Sequence, residues 1–282
     1  MNVFTGSEQM PSKKEEAKPS AAENLKDVKH KIIVMSGKGG VGKSTVAVNL
    51  ATALTMSGKK VGLLDADMHG PSIPMMFGLQ DSQMIVNDKG KIQPIQTASN
   101  VKIISIALLL ENSDSPVIWR GPVKMGAIKQ FLEEVEWGAL DYLIVDLPPG
   151  TGDEPLSVAQ LVPSPDGVVI VTTPQDVALL SVRKSINFVK AVGLRTIGLV
   201  ENMDGLVCPH CNKRIEVFGK GGAEKAAKDF GIPLLGSIPL TPSIADSGDD
   251  GVPFAGLDNG VATRFREMAD RIVELTENGA GK

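Results

Sequence analysis

Gly37-Lys38-Gly39-Gly40-Val41-Gly42-Lys43-Ser44-Thr45 fits the pattern G-x-x-x-x-G-K-[ST]. Residues 31–36, ahead of it, read Lys-Ile-Ile-Val-Met-Ser and predict a short buried strand. Residues 44–57, behind it, predict a helix that Gly58 ends. A glycine-rich loop between strand and helix is built to hold nucleotide phosphates. Gly37, Gly39, Gly40 and Gly42 let backbone N–H groups, with those of Val41 and Thr45, converge on anionic oxygens without side-chain clash. The helix start adds its partial positive charge. Lys43 is expected on the outer phosphates and Ser44 on Mg²⁺. Lys38 is different: the turn does not need it, and it adds repulsion beside Lys43.

A second motif supports the first. Residues 141–145 read as a buried strand, and Asp146 stands where it exits, before Leu147-Pro148-Pro149-Gly150. An apolar strand ending in aspartate supplies a carboxylate for Mg²⁺. The loop after it is stiff yet irregular, suited to sensing a γ-phosphate. Asp65 and Asp67 leave the end of another strand, residues 60–64.

Around these motifs strand and helix patterns alternate. A hairpin is predicted over residues 84–95 with its turn at 87–90, and a strand over 101–106. A helix follows over 123–136, a strand over 167–172, and a helix over 176–192. Strands at 196–200 and 234–238, a short extended piece at 214–218, and a helix over 261–276 complete the reading. Apolar strands alternating with helices predict an α/β fold, a mostly parallel sheet with helices on both faces. Ligands belong at the C-terminal ends of its strands. The expected organisation is a disordered lead-in over residues 1–28, one domain over 29–277, and a frayed tail over 278–282.

Composition narrows the partners. The chain has 282 residues, 42% hydrophobic, enough for one large core. Net charge is −4, which argues against nucleic acid or an anionic membrane as main partner. There is no apolar run long enough to span a bilayer and no apolar signal region, so a cytoplasmic protein is expected.

The two cysteines form one motif, Cys208-Pro209-His210-Cys211. Two thiols at this spacing reach one metal, but a closed site wants four ligands. Three readings follow: a site shared between two chains on a two-fold axis, a thioredoxin-like redox pair, or His210 as a third ligand. The redox reading is weak, because the pair follows a late strand and precedes an extended piece rather than opening a helix. His210 sits between the cysteines, where its ring tends to point away. Four thiolates suit Zn²⁺ or an iron–sulfur cluster equally.

The loop with its extra Lys38 resembles the deviant Walker A motif of the MinD/ParA/nitrogenase-iron-protein ATPases. That resemblance implies a P-loop NTPase in which Lys38 reaches a partner's nucleotide in trans. It places Asp65 near Mg²⁺, Asp67 on the attacking water and Asn202 on the adenine edge, with ATP as the nucleotide. Further motifs are Asp65-Ala66-Asp67-Met68-His69-Gly70-Pro71-Ser72, Trp119-Arg120-Gly121-Pro122, Asp146 to Asp153, Thr173-Pro174-Gln175-Asp176 and the cysteine pair. Together they resemble the Mrp/NBP35 iron–sulfur carrier ATPases, from about residue 28 to near the C-terminus. The resemblance implies a homodimer that holds a [4Fe–4S] cluster through Cys208 and Cys211 of each subunit. It further implies cluster-assembly donors and apo iron–sulfur proteins as recipients. The N-terminal four-cysteine motif of one subgroup is absent, so no permanent second cluster is expected; nor is the extra N-terminal domain of many bacterial members. A MinD/ParA-like positioning switch and a zinc-bridged dimeric ATPase are the alternatives. Residues 261–276 mix both charges and do not make a basic membrane helix. The sequence does not assign roles to His69, Arg120 and Asp153.

Overall fold

The computed structural model describes residues 19–67, 70–88, 90–109, 121–208, 210, 211 and 213–278. A short helix, α1 (Ala21–Asn24), precedes β1 (Val28–Ser36), α2 (Lys43–Met56), β2 (Val61–Asp65) and α3 (Ile73–Met76). The hairpin β3 (Ile85–Val86) and β4 (Ile92–Gln93) leads through β5 (Ile95–Gln96) to β6 (Val101–Ser105). Then come α4 (Gly121–Glu134), β7 (Leu140–Asp146), α5 (Asp153–Leu161), β8 (Gly167–Thr172), α6 (Asp176–Ala191) and β9 (Thr196–Val207). β10 (Arg214–Ile215), α7 (Gly222–Phe230), β11 (Leu234–Leu240), α8 (Pro242–Asp249) and α9 (Gly260–Glu277) close the chain.

Among the described residues nine strands form one sheet in the order β10-β9-β8-β1-β7-β2-β6-β5, with β11 also on β9. The pairings are parallel except β5 on β6 and β10 on β9. Side chains alternate between two cores, as a period of two requires. Ile32 and Val34 of β1 face the layer of α2 and α9, while Ile33 and Met35 face the layer of α4 to α7. Helix α2 is apolar nearly all round because it lies between the sheet and α9. The expected α/β architecture, with helices on both faces, is therefore present.

Register positions the chemistry. Asp65 pairs with Asp146 on one side and Ser105 on the other, and Asp146 also pairs with Val34. Three parallel strand ends, those of β2, β6 and β7, thus stop at one level, and β1 runs two residues beyond it into the phosphate loop.

Several boundaries differ from the sequence reading. The lead-in expected through residue 28 is folded from residue 19, and residues 1–18 lie outside the described residues. Ser20 and Glu23 cap α1 reciprocally, and Asn24 Nδ2 donates to the carbonyls of Leu132 and Val135. Leu25 and Val28 are buried against the α4 layer, so two apolar residues in a polar stretch fasten it. Strand β9, expected to stop at residue 200, runs on to Val207. The extended piece 91–95 splits at Pro94, which has no N–H for a ladder, into β4 and β5.

Candidate functional site

The phosphate loop owes its shape to backbone geometry. Gly40 and Gly42 sit at φ +76° and +80°, a region that side chains disfavour, and Gly42 opens α2. Gly37 is required for a different reason: a Cβ there would lie 2.6 Å from the backbone oxygen of Ser181 in α6. Gly37→Ala is expected to push the loop off α6, costing about 1–3 kcal/mol and weakening nucleotide binding. Denaturant melts and nucleotide titration check this, and wild-type values in both would remove the packing argument.

Lys43, only 6% exposed, lies among carboxylates. Its Nζ is 2.7 Å from Asp146 Oδ2 and 3.6 Å from Asp67 Oδ2. Ser44 Oγ donates to the same Asp146 oxygen at 2.6 Å. The other oxygen, Asp146 Oδ1, is buried with no hydrogen-bond partner. Burial raises the Asp146 carboxyl above its ordinary range, with Lys43 and Ser44 pulling it back. Asp65 accepts from Ser105 Oγ at 2.8 Å and from the Asp67 N–H at 3.1 Å. Burial, with Asp146 beside it, pushes Asp65 up to about 8.

That shift has a sign. In nucleotide-free and metal-free protein the folded state keeps the Asp65 proton up to about pH 8, and the unfolded chain releases it near pH 4. Folding takes up a proton in that window, so stability falls as pH rises through it. Asp65→Asn keeps an acceptor for the Asp67 N–H and is expected to flatten the slope. Thermal midpoints from about pH 5 to pH 8 read it, and an equally steep fall in the variant would contradict it.

Beside the loop is a cavity of about 330 Å³, bounded by Gly42, Asn49, Met76, Asn202, Met203 and Pro239. Asn202 Nδ2 donates to the Val41 carbonyl at 3.0 Å, tying β9 to the phosphate loop. Lys38 Nζ donates to Gln175 Oε1 at 2.9 Å, at the start of α6.

The cysteines stand on the turn between β9 and β10, Cys208 half-buried and Cys211 exposed. The Cys208 N–H donates to the Lys213 carbonyl at 2.9 Å, which closes the hairpin. Backbone N–H groups of His210 and Cys211 reach the Cys208 thiol, and with the Cys211 thiol they lower it below the ordinary range. Such N–H···S bonds stabilise a thiolate. Among the described residues no three His, Cys, Asp or Glu side chains gather into a metal-binding group. His210 and the two cysteines are not gathered into such a group.

A family model described as ParA, NUBPL iron-transfer P-loop NTPase, matches residues 27–273. The chain belongs to this family. The iron-sulfur cluster carrier protein of Methanocaldococcus jannaschii is 52% identical over 255 residues, spanning 90% of this chain and 88% of that protein. The cytosolic Fe-S cluster assembly factor NUBP2 of Gallus gallus is 49% identical over 234 residues, spanning 82% and 86%. The nucleotide-binding protein of Archaeoglobus fulgidus, solved in complex with ADP, superposes with a TM-score of 0.75 at 41% identity over 85% of this chain and 93% of that one. The cell-division ATPase MinD of Pyrococcus furiosus shares the fold, with a TM-score of 0.64 at 24% identity over 87% and 99%.

In this chain the structure brings Lys43, Ser44, Asp65, Asp67 and Asp146 into one cluster, with Asn202 at the adjoining cavity. Met68, His69, Trp119, Arg120, Pro209 and Asn212 lie outside the described residues. Asp153 opens the first turn of α5, where a carboxylate suits the helix dipole. Three contacts escaped the sequence reading: Ser105 on Asp65, Gln175 on Lys38, and the buried Glu201. Glu201 accepts from the Ala223 N–H at 3.0 Å and from Ser237 Oγ at 3.3 Å, capping α7, and burial raises its carboxyl. A charged residue after an apolar strand run was its one visible signal.

Proposed function

We propose that this chain is an ATP-dependent iron–sulfur cluster carrier. Two copies bind a labile [4Fe–4S] cluster as cargo through Cys208 and Cys211 of each, then pass it to apo-proteins, with ATP hydrolysis in the cycle. The observation that carries the reading is a pair of thiols with no third ligand gathered beside them among the described residues, at the end of the strand that also borders the nucleotide cavity. The names of the relatives, carriers and assembly factors, agree with it. Exposed Val207, Ile215 and Val217 surround the cysteine turn with apolar surface that a second copy would cover.

In the nucleotide site, Gly37 to Thr45 hold the phosphates, with Lys43 on the outer ones, and Asn202 reads the base. Mg²⁺ suits the residues present. Ser44, Asp65 and Asp146 offer hard oxygens, and the orphaned Asp146 Oδ1 is a buried acceptor awaiting a cation. When bound, the ion would neutralise phosphate charge. Asp67 orients the attacking water. Lys38, parked on Gln175 in its own subunit, reaches the partner's nucleotide on dimerisation. Cluster-assembly proteins are the donors. The ATPase unit spans residues 29–277, with residues 19–28 packed onto it, and a cytoplasmic setting fits relatives named cytosolic. No helix among the described residues is long and apolar enough to cross a membrane.

The test is anaerobic reconstitution with iron and sulfide, comparing wild type with a variant in which both cysteines are alanine. Iron, acid-labile sulfide and a brown chromophore are expected in wild type alone. Equal incorporation by both proteins would sink the assignment, and a colourless zinc protein would replace it with the structural reading.

A further inference from the structure

The nucleotide cavity and the cysteine turn lie on one strand, and β9 is distorted between them. Ile238 of β11 pairs with Asn202, and Leu240 pairs with Leu206. Met203, Asp204 and Gly205 therefore stand opposite Pro239 alone, which has no N–H to offer. Met203 has φ +62°, in the left-handed region that non-glycine residues avoid, and Gly205 has φ +67°. Strain of this kind persists only where its surroundings enforce it.

The surroundings are identifiable. Asn202 is held to the Val41 carbonyl of the phosphate loop, and Met203 lines the cavity. On the far side, Arg214 Nη2 meets Asp204 Oδ1 at 2.5 Å, and its Nε meets Glu216 Oε1 at 2.8 Å. The guanidinium lies against Gly205, where a Cβ would come within 2.9 Å of Nε. Arg214 also pairs with Val207, the neighbour of Cys208. One arginine thus grips the bulge with its side chain and the cysteine hairpin with its backbone.

We infer that the Met203–Gly205 bulge is the joint through which nucleotide occupancy sets the position of Cys208 and Cys211, and that Arg214 is the positioning residue that holds it. A bulge re-aims the strand beyond it. A nucleotide that moves Asn202 or Met203 changes the bulge, and the Asp204–Arg214–Glu216 clamp carries that change into the hairpin. The inference rests on the carrier reading for its biological sense but not for its measurement.

The test uses the metal-free, reduced full chain. Its two cysteines are the whole thiol content, so iodoacetamide reports on this turn alone. Alkylation rates are compared without nucleotide, with Mg·ADP and with a non-hydrolysable Mg·ATP analogue, and sedimentation follows the association state. Nucleotide is expected to change the wild-type rate about fivefold or more, a usual size for coupling between sites. Arg214→Ala and Asp204→Asn should lose that ratio while keeping nucleotide affinity, and Arg214→Lys should restore part of it. Asp204→Asn keeps the side-chain shape and decides the matter if Arg214→Ala does not fold. A wild-type rate indifferent to nucleotide would overturn the inference. So would an unchanged ratio in the variants, or variants that lose nucleotide affinity itself. Iron and sulfide loading of the wild type, measured in parallel, separates the two ideas. A nucleotide-sensitive ratio without cluster binding would remove the carrier reading and leave the joint; cluster binding without the ratio would do the reverse.

Discussion

Lys43→Met is expected to abolish ATP hydrolysis and also to lower the stability of the nucleotide-free protein. The first effect follows from the phosphates losing their buried cation; removal of one preorganised charge-stabilising donor costs about a hundredfold to a thousandfold in turnover. The second follows from what the lysine faces. Its ammonium lies 2.7 Å from Asp146 and 3.6 Å from Asp67, almost out of water. An intact buried ion pair adds little net stability, because desolvation offsets attraction. Removing one partner is different, since it strands the other charge, at about 3–5 kcal/mol. Asp146 is already pushed upward by burial, so it can relieve part of this cost by taking a proton. The loss of thermal midpoint should therefore shrink as pH falls. Lys38→Ala is the contrast. Lys38 is partly exposed and held by one hydrogen bond to Gln175, so its loss should move stability by about 0.5 kcal/mol or less. If it acts in trans, hydrolysis should still fall steeply. A Lys43→Met protein that melts like wild type would show that no uncompensated charge was left behind.

This contrast separates what sequence can reveal from what it cannot. The phosphate loop is local: its glycines, lysines and flanking elements lie within one strand–turn–helix unit, and the structure places it where the pattern did. Asp65 and Asp146 were visible as strand-end carboxylates for the same reason. Their side-by-side pairing was not, because register between β2 and β7 depends on packing across 81 residues of chain. Gln175 and Ser105 stayed hidden because their contacts are tertiary and their residue types common. Strand β9 was read too short because Glu201, Asn202 and Asp204 break the apolar run; burial of Glu201 on the α7 N-terminus is what lets the strand continue. Helices α5 and α8 are short, and glycine, proline and serine blur their periodicity, while α7 is only nine residues long and buries small alanines rather than large apolar side chains. The lead-in failed differently: composition over 28 residues was polar, yet Leu25 and Val28 sufficed to fold its end onto α4.

Mixtures of wild-type and cysteine-free chains should carry cluster in proportion to the square of the wild-type fraction. Two thiols per chain, with no third ligand gathered beside them among the described residues, can supply half of a four-thiolate site. If the other half comes from a second copy, a subunit with both cysteines changed to alanine spoils every dimer it enters. Equal amounts of wild-type and variant chains, allowed to associate at random, give homodimers and mixed dimers in a 1:2:1 pattern. Iron per total protein should then be about one quarter of the all-wild-type value. A site completed within one chain predicts about one half, and a mixed dimer that borrows an external thiol predicts about three quarters. Neither of those outcomes is compatible with a cluster held on a two-fold axis. A bridging zinc ion would follow the same quarter rule, since the dilution reports on geometry and not on metal. Sulfide resolves that ambiguity: a [4Fe–4S] cargo brings acid-labile sulfide in equal number with iron, and zinc brings none. The experiment needs no recipient protein and no nucleotide, so it measures the shared site before any claim about how ATP loads or releases it.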